Sequence, residues 1–372
     1  MSQINPDDFR NTLMAAVQQH NSRYASSHNL AIRWADDDTN AARDVANFQT
    51  LLERLSLPRA QELVIGKHDK TPVWTIQGAF RNKLSAAKSS PGRSLVTVHY
   101  SGHGLLVDGA LSFADTVAGE RTFSANVTLF YLVASSNYGG YLAETDKVDV
   151  LFILDCCYSH MALRGVEVSP RVVEMIATVD INDPLAFAPP QNTFTSKIIS
   201  EVVRRQREGH RYIEMADLIQ TLRACPNAIK KPTHGITIGN HSICLPLTGL
   251  ANVDPTTIAP TLRAVFSVHL ARNMNKEEVE RLANWVKTLP SGMDITLDGV
   301  YTAESMIYIL SSAYSVYLKI AGIPGYKLVA EVTSHNLVRT LSQPPATGGA
   351  GSSPQKGRDK KENIKLMPPK TS

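Results

Sequence analysis

Apolar positions along the chain fall into short unbroken runs separated by stretches of helical period. Leu30–Trp34, Glu62–Ile65, Leu95–Tyr100 and Val148–Leu154 are the runs. Runs this brief and this rich in branched residues predict strands buried on both faces, as inside a parallel sheet. Between them lie two helical patterns. In Ala41–Leu55, Val45, Phe48, Leu51, Leu52 and Leu55 share a face, and Val73–Ala87 is opened by Thr71 and Pro72. Thr39 or Asn40 is placed to cap the first of these. A further pattern, Asp7 to about His20, puts Phe9, Leu13, Met14 and Val17 on one face. The order β-α-β-α-β predicts an α/β domain with right-handed crossovers.

The pattern continues with a hairpin at Gly109–Thr116 and the start of a helix at Thr128–Val133. After Val148–Leu154 come a strand at Val172–Val179, helices at Phe194–Arg205 and Ile213–Arg223, and a last strand at His241–Pro246. The expectation is a six-stranded, mainly parallel sheet with helices on both faces, spanning 28–248 behind a helical extension, 1–27. Residues 249–261 read as a linker. Beyond it, Leu262–Leu270, Lys276–Leu289, Asp294–Tyr301, Met306–Leu310, Ala313–Ile320 and Tyr326–Thr333 alternate as β-α-β-β-α-β. That is the ferredoxin-like order, so 262–342 is expected to be a small α+β accessory domain, with Tyr301, Tyr308, Tyr314 and Tyr317 in its core.

Composition changes this picture little, except in the tail. The net charge is +4. Lys356, Arg358, Lys360, Lys361, Lys365 and Lys370 against Asp359 and Glu362 place that whole excess after Gln343. The folded part is therefore near neutral, which argues against nucleic acid as a partner. The tail, 343–372, is rich in Pro, Gly, Ser and Lys and is expected to be disordered. No apolar run approaches the roughly 20 residues that span a bilayer. Met1–Arg10 is polar and does not resemble a secretory signal. Cys156, Cys157, Cys225 and Cys244 show no CxxC spacing, so neither a disulfide framework nor a zinc site is expected. The setting this implies is a reducing one, and the expected localisation is cytoplasmic. Cys225 and Cys244 read as buried small hydrophobes.

Two strand ends carry chemistry. Val148–Leu154 runs into Asp155-Cys-Cys-Tyr-Ser-His160, and Leu95–Tyr100 runs into Ser101-Gly-His-Gly104. In open α/β sheets reactive groups sit just past the carboxyl ends of strands. Strands of one sheet can bring Cys157 and His103 within hydrogen-bond reach, where an imidazole activates a thiol and moves its proton. Strand alternation turns Cys156 away from Cys157. The glycines around His103 let the backbone approach a substrate closely. Asp36-Asp37-Asp38 is an acidic run, but calcium asks for six or more oxygen ligands, and no metal or other cofactor is expected.

Tyr-Ser-Gly-His-Gly at 100–104, followed some fifty residues later by Asp-Cys-Cys-Tyr-Ser at 155–159, resembles the caspase-like cysteine peptidases. The metacaspase and fungal caspase-like branch is the most similar. The resemblance covers about 28–248. It implies His103 as general base and acid, Cys157 as nucleophile, and the backbone amides of Gly104 and Cys157 as an oxyanion hole. It also implies that Asp155, Ser101 and Asp44 line the primary specificity pocket. An anionic pocket implies protein or peptide substrates cut after Arg or Lys. The same resemblance implies a monomer and self-cleavage within 161–192, where Arg164 and Arg171 lie. The chain departs from the metacaspase run Cys-His-Ser-Gly, having Cys157-Tyr158-Ser159-His160 instead. Two competing readings stay open: a caspase-like scaffold whose pocket is blocked by Tyr158 or His160, and a binding module that uses the second domain and the tail.

Overall fold

The computed structural model describes residues 2–18, 24–134, 141–142, 145–162, 169–180, 183, 185, 193–226, 230–247, 253–302 and 305–336. In chain order the first elements are α1 (Pro6–Val17), β1 (Ser26–Trp34), α2 (Ala41–Arg54), β2 (Gln61–Ile65), α3 (Pro72–Ser89) and β3 (Ser94–Ser101). A small three-stranded sheet follows, β4 (His103–Val107), β5 (Ala110–Ala114) and β6 (Thr122–Ser124). A π-helical turn, Asn126–Phe130, leads into the three-residue α4 (Tyr131–Val133). Then come β7 (Val148–Asp155), β8 (Val173–Ala177), α5 (Phe194–Glu208), β9 (Tyr212–Glu214), α6 (Met215–Ala224), β10 (Thr233–Ile238) and β11 (Cys244–Pro246).

The central sheet has six strands in the order β10-β8-β7-β3-β1-β2. Every pairing is parallel except that of β10 with β8. Alternation along β7 feeds both faces. Val150, Phe152 and Leu154 join the core under α3, while Leu151 and Ile153 join the core under α2, α5 and α6. Asp149, the one polar residue in that run, is fully buried and fully used. Its carboxylate takes Arg93 Nη2 at 2.6 Å and Nε at 2.7 Å, the hydroxyl of Tyr24 at 2.9 Å and the amide of Val172 at 2.7 Å. A buried carboxylate is tolerable only with that density of donors.

The sixth strand is not the one the sequence pattern points to. His241–Pro246 contains β11, which pairs with β9 in a separate two-stranded ribbon. The sheet is instead completed by β10, whose Thr-His-Gly interrupts any apolar run. His234 in β10 is held by Glu174 of β8 at 2.5 Å, and Glu174 also takes the hydroxyl of Ser242 at 2.5 Å and the amide of Ile243 at 2.6 Å. This buried carboxylate ties the strand to the loop that follows it.

The remaining elements are β12 (Arg263–Leu270), α7 (Lys276–Val286), β13 (Thr296–Thr302), β14 (Met306–Ala313), α8 (Tyr314–Ile320) and β15 (Tyr326–Val332). Their sheet is wholly antiparallel in the order β13-β14-β12-β15, the arrangement the β-α-β-β-α-β pattern requires. α7 begins with a complete capping box, Asn275 with Glu278. Tyr308, Tyr314 and Tyr317 are buried, but Tyr301 is 60% exposed near the end of an edge strand. Residues 1–333 form one compact unit. One apolar core runs from α2, α5 and α6 through α8 to the inner face of the second sheet. α1 belongs to that core, with Phe9 against Trp285, Tyr308 and Tyr326. The composition change at 249–261 thus marks a change of sheet within a shared core. The second unit, 334–372, lies almost wholly outside the described residues, as does the basic tail.

Candidate active site

β3 and β7 are parallel neighbours in register, with Ser101 opposite Asp155 at their carboxyl ends. The chain leaves β3 through Gly102, whose φ of +141° lies in a region closed to most side chains. A Cβ there would meet Asp37 Oδ2 at 2.9 Å and the Tyr100 hydroxyl at 3.0 Å. Tyr100 is itself fixed: it stacks on Phe113 at 3.7 Å and its hydroxyl donates to the carbonyl of His103 at 2.8 Å. The hairpin of β4 and β5 turns at Asp108-Gly109, both with positive φ, as the two-residue turn of a twisted hairpin requires. It starts six residues earlier than the Gly109 of the sequence pattern and leaves His103 at the head of β4.

Gly104 brings the two strand ends together. A Cβ on residue 104 would lie 2.1 Å from the carbonyl oxygen of Cys157 and 3.1 Å from Cys156 Sγ. Only a glycine permits that approach. Cys156 is buried in the core under α3, and burial pushes its thiol far above the ordinary range. Cys157 is half-buried and lines a cleft of about 570 Å³. His103, Gly104, Tyr158, Ser101, Asp44 and Asp155 line the same cleft. No disulfide involves any of the four cysteines. Cys244 is buried as expected, whereas Cys225 is exposed, because α6 ends at Ala224 and releases the chain to solvent.

Asp44 is buried on the first turn of α2 and accepts the hydroxyl of Ser101 at 3.1 Å. Asp155 accepts Thr178 Oγ1 at 2.9 Å on one oxygen and the amide and hydroxyl of Thr195, both at 3.1 Å, on the other. Even so, burial together with the negative charge of Asp44 pushes Asp155 up to about 6. Burial likewise raises Asp44. Neither carboxylate has a salt bridge among the described residues. Lys197 of α5 lines the cleft as well, half-buried, with its pKa lowered by burial. The cleft thus joins a half-buried thiol, an imidazole and two charged-pair-lacking carboxylates in one space.

A family model described as the caspase domain, peptidase C14, matches residues 23–229, more than half of the chain. The chain belongs to the caspase-domain peptidases. No curated protein matches it significantly. The matched caspase domain carries the central sheet up to the start of β10, the hairpin, and every residue of the cleft named above.

Several partners in this caspase domain are not written in its motifs. His103 donates from Nε2 to Asp38 Oδ1 across 65 residues, and that bond holds the Asp38 carboxyl below its usual range. Thr195 and Thr178 clamp Asp155 from α5 and from just past β8. Asn40 occupies the capping position of α2 in a left-handed conformation, without a side-chain cap, and Asp37 Oδ1 takes the amide of Ala41 instead, at 3.1 Å. His160 sits on a 3-10 turn, Ser159–Ala162, and is not among the residues lining the cleft. Tyr158 does line it, at a φ of 54°, and its ring packs against the core under α3. Arg171 is buried, with its guanidinium on the carbonyls of Val133 and Ala134, each at 3.1 Å, so the folded chain does not offer it for cleavage. Arg164 lies outside the described residues. Among those residues, no helix is long and apolar enough to cross a membrane.

Proposed function

We propose that the chain is a cysteine endopeptidase that cuts after Arg or Lys, in the manner of the metacaspase-like branch. Cys157 attacks the scissile carbonyl as a thiolate. Its proton passes to His103, which later gives it to the departing amine, and a water deprotonated by His103 then releases the acyl group. The amides of Gly104 and Cys157 hold the oxyanion, each donor contributing about 3 kcal/mol to transition-state stabilisation. Asp155 and Asp44, with Ser101 between them, take the guanidinium or ammonium of the residue before the cut.

One observation carries this reading: Cys157 and His103 line a single cleft together with two carboxylates that raise one another's cost of ionisation. Two anions gathered with no salt bridge among the described residues, and with Lys197 as a half-buried cation on the same cleft wall, are an arrangement that a cation arriving from outside relieves. An aspartyl substrate would meet repulsion in the same place. Self-cleavage, if it accompanies this activity, falls to Arg164 rather than Arg171.

The test is a set of fluorogenic peptides that differ only before the scissile bond. Turnover is expected with Arg and Lys, none with Asp, and none by Cys157→Ala. Turnover of the aspartyl peptide, or equal activity in Cys157→Ala, would overturn the assignment. Failure of every peptide, with no labelling of Cys157, would favour the scaffold reading.

A further inference from the structure

The three acidic residues after β1 are each committed to a different partner. Asp36 pairs with Arg121 Nη2 at 3.1 Å. Asp37 Oδ1 takes the amide of Thr39 at 2.9 Å, its hydroxyl at 2.6 Å and the amide of Ala41 at 3.1 Å, which anchors the loop to the start of α2. Arg121 is in turn fixed by Asp115 at 2.9 Å and lies over the ring of Trp34. The loop is therefore pinned on both sides of Asp38, whose Oδ1 accepts a hydrogen bond from His103 Nε2.

A carboxylate only accepts, so the neutral ring must carry its hydrogen on Nε2, and Nδ1 is left with the lone pair. A general base needs that lone pair on a ring held in one rotation. The backbone of residue 103 is fixed by the Tyr100 hydroxyl, and among the described residues Asp38 is the hydrogen-bond partner that holds the ring.

We infer that Asp38 is a positioning residue for His103, fixing the ring's rotation and its Nε2–H tautomer so that Nδ1 takes the proton of Cys157. This inference rests on the peptidase reading above. The bookkeeping of protons is simple: the S–H bond of Cys157 breaks, an N–H bond forms at Nδ1, and thiolate and imidazolium result. Asp38 keeps its charge throughout and faces the imidazolium. The same proton later leaves Nδ1 for the departing amine. The His103 side chain is 15% exposed and that of Asp38 63% exposed, so water screens the pair and the effect is moderate. A loss in kcat of about ten- to a hundredfold, at the low end of what general-base catalysis contributes, is expected on removing the carboxylate.

The experiment compares wild type with Asp38→Ala, Asp38→Asn and Asp38→Glu in the full chain. Steady-state kinetics on the arginyl peptide are read beside nitrogen-15 spectra of labelled histidine, with the His103 signals assigned by their loss in His103→Gln. The expected result is a fall in kcat with KM nearly unchanged in Asp38→Ala and Asp38→Asn, partial recovery in Asp38→Glu, and an Nε2–H ring in wild type that becomes a mixture of tautomers in Asp38→Ala. Wild-type kcat within twofold in Asp38→Ala, or an unchanged ring signal there, would overturn the positioning role. So would a loss of activity that only follows a lowered Tm. Should wild type turn over no peptide, the peptidase reading fails separately, and the ring signal still decides whether Asp38 fixes the tautomer.

Discussion

The α-carbon of Gly104 faces the carbonyl of Cys157 so closely that a methyl group there would sit 2.1 Å from the oxygen. The contact sets the relative position of two strand ends, because β4 cannot move outward without taking His103 with it. Gly104→Ala must therefore displace either the hairpin or the turn after β7. Overpacking of this kind costs about 1–3 kcal/mol. The variant is expected to fold with a lowered midpoint in urea and to lose nearly all turnover. A variant of unchanged activity would show that the contact does not govern the site.

Asp155 gives the cleft a pH-dependent charge. With its pKa near 6, it is ionised at neutral pH and neutral in acid, so one of two pocket charges disappears as pH falls through about 6. A basic ligand prefers the ionised form. Its affinity for Cys157→Ala, a variant that removes thiol chemistry from the measurement, is expected to weaken severalfold between about pH 7.5 and about pH 5, since a tenfold change corresponds to 1.36 kcal/mol. Calorimetry with an arginine amide reads this directly and should show proton release on binding near pH 6. Affinity that does not change with pH would mean that Asp155 is not the recognition group.

Lys197 opposes the same ligand. It lines the cleft with Asp155 and carries no salt bridge among the described residues. Lys197→Met keeps the aliphatic stem and removes the like charge. KM for an arginyl peptide is expected to fall about two- to fivefold, with the gain shrinking at high salt, because screened charges lose their reach. A raised KM would show instead that Lys197 contacts the substrate favourably.

His99 predicts how the fold responds to acid. It is fully buried, stacked on Phe48 at 4.7 Å, and its Nε2–H donates to Thr195 Oγ1 at 3.1 Å. Burial lowers its pKa to about 3, against an ordinary 6.5. Between those values the unfolded chain binds a proton that the folded chain refuses, so stability falls as pH drops through 6.5. The loss should reach roughly 2–3 kcal/mol by pH 4.5. Asp155 works in the opposite sense, since its raised pKa makes the folded chain hold a proton that the unfolded chain gives up above about pH 4. His99→Phe should flatten the acid limb of the stability curve measured in urea. An identical slope in both proteins would contradict the assignment.

Much of this was legible in the residues, and for identifiable reasons. β3, β7 and the Leu30–Trp34 half of β1 are read from the chain because strands covered on both faces are mostly apolar, while β2, an exposed edge strand, shows only as the short run Leu63–Ile65. The second sheet is equally plain, since its strands and helices switch between periods of 2 and 3.6. β10 is hidden because His234 is paid for by a buried Glu174 rather than replaced by an apolar residue. β9 is hidden because Tyr212, Ile213 and Glu214 run into a helix of compatible pattern. The strand-end positions of His103 and Cys157 follow from local sequence, whereas the Asp38 bond to His103 joins residues 65 apart and leaves no local trace. The shared core of the two sheets is hidden in the same way, because no pattern within 249–261 says which faces meet.

The most direct measurement of the central claim is the mass of the intact protein after treatment with a peptidyl electrophile bearing arginine at its reactive end. One adduct per chain, mapped to Cys157, is predicted. It should be absent in Cys157→Ala, greatly slowed in His103→Ala, and slower still with an aspartyl electrophile. Labelling of Cys225, the exposed cysteine, in place of Cys157, or faster reaction with the aspartyl reagent, would contradict the account.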